Sequence, residues 1–204
     1  MSSTPFEVYV FDFDGTLVQS AAVKRQAFFE VFPVGCATAV AKVLERDPDG
    51  SRHEVIPAMI AEARNMGLDT EGLDAPSLVA AYGRAAEAGV MNAAAMPKAD
   101  AVLQAASAKA AYVASMTPHD DLQALLDQRG WLRLLRGAYG YPHSKDDVVG
   151  ELLQRHGIAP SQLIVVGDGT SDRAAAERNG CAFHAITGPQ SLAAVPGLGV
   201  GGHV

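Results

Sequence analysis

Two aspartates, Asp12 and Asp14, follow an apolar run from Val8 to Phe11 and stand directly before Gly15. Side chains two positions apart on an extended segment lie on the same side, so both carboxylates are predicted to point together at the end of a strand. Adjacent carboxylates repel each other unless a cation or a shared proton relieves them, and an oxygen-rich site of this kind suits Mg²⁺. A simple surface turn at Asp14-Gly15 is the alternative that this dipeptide leaves open.

A second apolar run, Ala111 to Ala114, is followed by Ser115 and then by Thr117 and Pro118. We predict that Thr117 caps a helix that starts at Pro118, with Asp120 completing a capping box. Ser115 lies just before this cap, next to a helix N-terminus whose N–H groups favour an anion. Ser115 is therefore a candidate phosphate ligand, and an ordinary loop serine is the alternative.

A third apolar run, Leu163 to Val166, leads into a glycine-flanked aspartate, Asp168, and then Asp172. Ligands of open α/β sheets bind at the carboxyl ends of the strands, so Asp168 is predicted to share an edge with Asp12 and Asp14. Asp172 falls in the first turn of the next helix, where the helix dipole alone also favours a carboxylate. Both a functional and a structural reason therefore account for Asp172.

Lys145 occupies the first position of a helix that Ser144 and Asp147 cap. The helix dipole opposes a cation there, so the lysine predicts an anionic partner, with a solvated surface lysine as the alternative. The helix is predicted to end at Gly157, in a left-handed cap.

The three apolar runs do not alternate with polar residues, which is typical of strands covered on both faces. From about Ser20 to Met96 the strand pattern gives way to helical segments at 21–32, 37–46, 51–66 and 75–88. Their apolar residues are predicted to form a core of their own; these are Phe28, Phe29, Val43, Leu44, Ile56 and Ile60.

The composition narrows the class of protein. A chain of 204 residues can hold one domain with an insert, and a net charge of −7 without a basic stripe argues against a nucleic-acid partner. Cys36 and Cys181 fit no metal motif and are predicted to be buried free thiols. The first seven residues lack a leader pattern and no segment has the length of a membrane span, so we expect a cytoplasmic protein with no membrane partner. The oligomeric state stays open.

These segments and their order resemble the haloacid dehalogenase (HAD) superfamily, in which phosphatases predominate. The similarity lies in D-x-D-G-T at 12–16, Ser115, Lys145, and G-D-x-x-x-D at 167–172. The resemblance implies an α/β fold with a Rossmann-like three-layer core around a central, mostly parallel sheet. That core would comprise residues 1–19 and 97–204, and an α-helical cap insert of the C1 type would comprise 20–96.

The resemblance also implies a mechanism. Asp12 would attack phosphorus and become an aspartyl-phosphate, and Asp14 would serve as general acid and then as general base. Ser115 and Lys145 would bind the phosphoryl oxygens.

In the same way, the resemblance implies that Mg²⁺ is the cofactor. Asp12, the Asp14 backbone carbonyl and Asp168 would hold the ion. Asp172 would bind it through water or orient Lys145.

The predicted activity is therefore a Mg²⁺-dependent phosphatase for a small phosphorylated metabolite, such as a sugar phosphate or a phosphoglycolate-like acid. A phosphomutase would use the same residues, and a catalytically silent binding module is a further alternative. Dehalogenases and phosphonate hydrolases fit less well because they lack the second aspartate of D-x-D, which is Asp14 here.

Overall fold

The computed structural model describes residues 6–48 and 50–200. These residues divide into two compact units, one comprising the chain up to Gln19 and from Ala94 onward, the other Ser20–Ala93. In chain order the elements are β1 (Val8–Phe11), α1 (Ala21–Val31), α2 (Ala37–Arg46), α3 (Arg52–Asn65), α4 (Ala75–Met91), α5 (Ala99–Ser107), β2 (Ala110–Pro118), α6 (His119–Gln128), β3 (Gly137–Tyr141), α7 (Lys145–His156), β4 (Leu163–Gly167), α8 (Thr170–Arg178) and β5 (Ala182–Ala185).

The larger unit is built on a five-stranded sheet in the order β3-β2-β1-β4-β5, in which every pairing is parallel. Phe11 at the end of β1 pairs with Val113 of β2 on one side and with Val166 of β4 on the other. Phe11, Val113 and Val166 therefore lie at one level of the sheet, at the carboxyl ends of β1 and β4. The predicted α/β, Rossmann-like fold is confirmed.

Both faces of the sheet are covered. Val8 and Val10 share one apolar cluster with α7 and α8, to which Val149 and Ala176 contribute. Tyr9 points to the opposite face because side chains alternate along a strand, and α5 packs against β2. All four residues of β1 are buried, as the unbroken apolar run predicts.

Two edge strands and one helix were not predicted from the sequence. β3 reads Gly-Ala-Tyr-Gly-Tyr and β5 reads Ala-Phe-His-Ala, and neither is fully buried. Edge strands bury less apolar surface, so their sequences carry a weaker apolar signal than the central strands. Helix α5 precedes β2 within the larger unit.

The cap predicted at Thr117 is wrong. β2 continues to Pro118, which pairs with Tyr141 of β3 after a shift of register beyond Ala114. Helix α6 then begins at His119 without a side-chain cap. Pairing with β3 keeps Thr117 in extended conformation, so its side chain does not cap α6.

The helices of the smaller unit form their own hydrophobic core, as predicted. Five of the six predicted residues are buried in it, and Phe29 packs against it half-buried. Phe28 stacks on Tyr82 with ring centroids 4.1 Å apart. Ser51 caps α3, and its hydroxyl accepts the N–H of His53.

Residues 94–96 belong to the larger unit, three residues earlier than the predicted domain boundary at 97.

Both cysteines are free; Cys36 is buried, whereas Cys181 is half-buried and has its pKa raised to about 11 by burial. Residues 1–5, on which the prediction of no leader largely depends, lie outside the described residues.

Within residues 6–48 and 50–200, no single helix has the length and apolar character needed to cross a membrane. The segments Ala21–Val31 and Val34–Arg46 meet that test only as a pair, bent by 118°.

Candidate active site

Asp12 is placed at the carboxyl edge of the sheet by β1. Its backbone N–H donates to the carbonyl of Val166 over 2.8 Å, which extends the pairing with β4 by one residue. The residue is only 6% exposed. A carboxylate removed from water in this way needs a charged partner.

Lys145 provides that partner from the first turn of α7. Its Nζ lies 2.9 Å from Asp12 Oδ1 and 2.7 Å from Asp172 Oδ1. Burial alone would lower the pKa of Lys145, but the charges of the two carboxylates outweigh it, and the pKa is raised above its ordinary value. The ammonium is therefore charged and held between two acids. The predicted Ser144 cap is present: its hydroxyl accepts the N–H of Asp147 over 3.1 Å.

Asp172 is held in place by the glycine loop that follows β4. The N–H of Gly169 donates to Asp172 Oδ2 over 3.2 Å, while the other oxygen of Asp172 contacts Lys145. A Cβ on Gly167 would lie 2.2 Å from Asp172 Cγ, so only glycine leaves room for this carboxylate. Burial first, and then the charge of Asp12, raise the pKa of Asp172 to about 7.

Asp168 lies at the same edge, and the turn after β1 constrains the position of its side chain. Gly15 has φ +74°, and a Cβ at this position would lie 1.9 Å from Asp168 Oδ2. The Thr16 hydroxyl donates to Asp168 Oδ1 over 3.3 Å. Burial and the charge of Asp12 raise the pKa of Asp168 to about 6. The glycine and threonine of D-x-D-G-T therefore both act on the position of Asp168.

Three carboxylates form a group that could hold a metal ion. Asp12, Asp168 and Asp172 each offer one oxygen, and the three oxygens lie within 4.8 Å of one another. When ionised, the three carboxylates carry a charge of −3 and the Lys145 ammonium carries +1. The remaining charge of −2 would be balanced by one divalent cation. A hard cation that prefers oxygen ligands, such as Mg²⁺, fits this donor set. The carboxylate of Asp14 is not in the group.

That carboxylate has a different partner. Thr117 donates its hydroxyl to Asp14 Oδ2 over 2.7 Å, and its backbone N–H donates to Ser115 Oγ over 3.1 Å. Ser115 is buried within β2, and Asp14 is half-buried. Thr117 is therefore a site residue that sequence reasoning assigned to a helix cap.

Arg129 is a second residue that sequence reasoning missed. Its guanidinium lies 5.8 Å from the ring centroids of Phe13 and Trp131. Burial lowers the pKa of Arg129, while the carboxylate of Asp14 acts in the opposite direction. No local pattern marks an arginine at the end of a helix as a partner of a carboxylate more than a hundred positions away.

All the predicted residues except Asp168, which is bonded to Thr16, thus fall into two bonded groups at one edge of the sheet. Lys145 joins Asp12 to Asp172, and Thr117 joins Asp14 to Ser115. His53 and Arg64 are exposed on α3 in the smaller unit, as is typical of a solvated helix face.

Several solved structures share the fold. A predicted phosphoglycolate phosphatase from Haemophilus somnus aligns with a TM-score of 0.71 at 20% identity, covering 89% of this chain and 85% of that one. The HAD-hydrolase YfnB from Bacillus subtilis, bound to magnesium, aligns at 0.64 and 14% identity over 88% and 86%. A variant of CbbY from Rhodobacter sphaeroides, in complex with xylulose-(1,5)-bisphosphate, aligns at 0.66 and 18% identity over 90% and 87%.

At these identities the structural likeness establishes the fold. A search of curated proteins gave no significant match. The model of the haloacid dehalogenase-like hydrolases, in contrast, matches residues 6–180 and so covers every site residue described above. The chain belongs to the haloacid dehalogenase-like hydrolase family.

Proposed function

We propose that this hydrolase is a Mg²⁺-dependent phosphatase that acts on a small phosphomonoester through an aspartyl-phosphate at Asp12. The observation that carries the proposal is the buried ammonium of Lys145, held 2.9 Å from Asp12 beside two further carboxylates. An ammonium in this position can offset the negative charge of a phosphoryl group that approaches the Asp12 oxygens. This reduces the repulsion between the phosphoryl group and the Asp12 carboxylate.

In the first step, an Asp12 carboxylate oxygen attacks phosphorus. A bond forms between that oxygen and phosphorus, and the bond from phosphorus to the ester oxygen breaks. The proton carried by Asp14 passes to the departing ester oxygen, which leaves as an alcohol. Lys145 and the hydroxyl of Ser115 donate to the phosphoryl oxygens.

In the second step, water attacks the phosphorus of the aspartyl-phosphate. Asp14, now ionised, takes a proton from this water, and the bond between phosphorus and the Asp12 oxygen breaks. Phosphate leaves, Asp12 is regenerated as a carboxylate and Asp14 carries a proton again. Two displacements of low barrier replace one of high barrier.

Asp12, Asp168 and the Asp14 backbone carbonyl are proposed to hold Mg²⁺, with Asp172 as a ligand through water or as the residue that orients Lys145. When bound, the ion would offset negative charge on the nucleophile and the phosphoryl group. The all-oxygen donor set supports Mg²⁺, and so does the magnesium bound to the related YfnB.

A small phosphorylated metabolite is the proposed substrate. One structure with the same fold is a predicted phosphoglycolate phosphatase, and another was crystallised with a sugar bisphosphate. We propose that residues 20–96 are a C1-type helical cap that selects the substrate. A cytoplasmic location, and the absence of nucleic-acid and membrane partners, stay predictions from composition.

The direct test replaces Asp12 by Asn and measures hydrolysis of p-nitrophenyl phosphate with Mg²⁺. We expect turnover to be abolished with the fold retained, because an amide oxygen is a poor nucleophile; Asp120→Asn, at an exposed aspartate of α6, is the matched control. A chelator should also stop turnover by the unmodified protein. Retained activity in Asp12→Asn, or hydrolysis without metal, would refute the assignment.

A phosphomutase would use the same residues and return the phosphoryl group to a sugar. A panel of sugar phosphates, with the products examined for isomers as well as for free phosphate, separates the two activities.

A further inference from the structure

Thr117 contacts two groups of the candidate site through different parts of the same residue. Its side-chain hydroxyl donates to Asp14 Oδ2 over 2.7 Å, and its backbone N–H donates to Ser115 Oγ over 3.1 Å. Helix α6 does not use Thr117 as a cap. The hydroxyl is therefore committed to the aspartate and not to the helix that follows.

The hydrogen bond from Thr117 to Asp14 does not depend on whether that carboxylate carries a proton. A hydroxyl donor needs a lone pair on Oδ2, and Oδ2 offers one when Asp14 is ionised and also when the proton is on Oδ1. The hydrogen bond can thus persist in both protonation states.

The contact with Ser115 has a related effect. Because Ser115 Oγ accepts the N–H of Thr117, its own hydrogen must point in another direction. That hydrogen is then available to a phosphoryl oxygen. The two effects are separable by mutation, since a side-chain substitution at Thr117 keeps the backbone N–H.

We propose that Thr117 is a positioning residue, whose hydroxyl holds the Asp14 carboxylate in the orientation that the proposed acid and base needs. The inference rests on the proposed function, in which Asp14 is the acid and the base. It adds a residue whose role is to align that acid and base, not to touch the substrate.

The test compares Thr117→Val with Thr117→Ser, using p-nitrophenyl phosphate and glycerol phosphate with Mg²⁺. Valine removes the hydroxyl, so we expect kcat for glycerol phosphate to fall by about 10- to 100-fold, within the range that general acid–base catalysis contributes. KM for glycerol phosphate should be unchanged because the contact with Ser115 is kept. Serine should restore most of kcat.

Pre-steady-state kinetics give a readout that a merely structural role would not change. p-Nitrophenolate leaves with little help from an acid, whereas hydrolysis of the aspartyl-phosphate still needs the base. In Thr117→Val we therefore expect a burst of about one nitrophenolate per active site, followed by slow turnover. Thr38→Val, at an exposed threonine of α2, should behave like the unmodified protein.

Thermal unfolding shows whether each variant folds, and if the valine variant does not, Thr117→Ala against Thr117→Ser takes its place. Unchanged kcat in the variant without the hydroxyl would overturn the inference and assign the alignment of Asp14 to Arg129. An equal loss with both esters and no burst would overturn it as well. If the unmodified protein hydrolyses neither ester, the proposed function fails, and the inference fails with it.

Discussion

Replacing Gly15 by Ala should weaken the activation by Mg²⁺ far more than it weakens the fold. Gly15 has φ +74°, and the added Cβ would lie 1.9 Å from Asp168 Oδ2, whereas ordinary contact begins at 3.4 Å. The carboxylate must therefore withdraw by about 1.5 Å, far more than the roughly 0.2 Å that metal–ligand distances tolerate. Neighbouring groups partly desolvate the Asp168 carboxylate, but the residue as a whole is exposed, so its side chain can turn outward. The clash would then be relieved at the expense of a proposed metal ligand.

Gly157→Ala is the matched control. Gly157 has φ +61° and caps α7, but nothing lies within 4 Å of an added Cβ. Both variants should lose about 1–2 kcal/mol of unfolding free energy, the cost of a left-handed conformation for a residue with a Cβ. Urea unfolding in the presence of a chelator measures this loss of unfolding free energy without a contribution from bound metal.

Activity should separate the two variants. We expect the Mg²⁺ concentration for half-maximal hydrolysis of p-nitrophenyl phosphate to rise by at least about 100-fold in Gly15→Ala, the upper end for a lost supporting contact, and to stay unchanged in Gly157→Ala. Normal Mg²⁺ dependence in Gly15→Ala would refute the assignment of Asp168 as a ligand. An equal loss in both variants would trace the effect to backbone strain.

Three further outcomes follow from the buried charges. Lys145→Met leaves two buried carboxylates without their cation and should cost about 3–5 kcal/mol in urea unfolding at pH 8, whereas Lys42→Met, at an exposed ion pair, should cost less than about 1 kcal/mol; similar losses would contradict the reasoning. The folded-state pKa values of Asp168 (about 6) and Asp172 (about 7) exceed their ordinary value of 3.8. The folded, metal-free protein therefore binds more protons than the unfolded chain, and these groups should lower stability as the pH rises from about 4 to about 7. Thermal unfolding in chelator should show a smaller pH dependence of this sign in Asp172→Asn; an unchanged profile would argue against it. Mg²⁺ must displace the same protons, so its affinity should increase between pH 6 and pH 7 in titration calorimetry, and a flat profile would count against the site.

The central strands could be predicted because their sequences are buried on both faces. β1, β2 and β4 each contain an unbroken apolar run, and the residues that follow these runs lie at one edge because the strands are parallel and in register. β3 and β5 escaped prediction because short edge strands with glycine or few apolar residues resemble loops.

The error at Thr117 has the same origin. Thr-Pro after a strand suits a helix cap when only neighbours along the chain are considered. The strand continues instead because Pro118 pairs with Tyr141, a residue of the unpredicted β3. Long-range partners decide such positions, and the hydrogen bond from Thr117 to Asp14 spans 103 positions. The types of the catalytic candidates could therefore be read from sequence, but not the contacts that orient them.

The chain leaves the sheet-bearing unit and re-enters it through adjacent residues. The N–H of Gln19 donates to Ala94 over 2.9 Å, the N–H of Met96 donates to Leu17 over 2.8 Å, and Val18 pairs with Ala95 in antiparallel fashion. Exit and return are thus pinned together by the scaffold itself. An insert at this point can change in length or sequence while the sheet keeps its register, so the two units can vary independently during evolution.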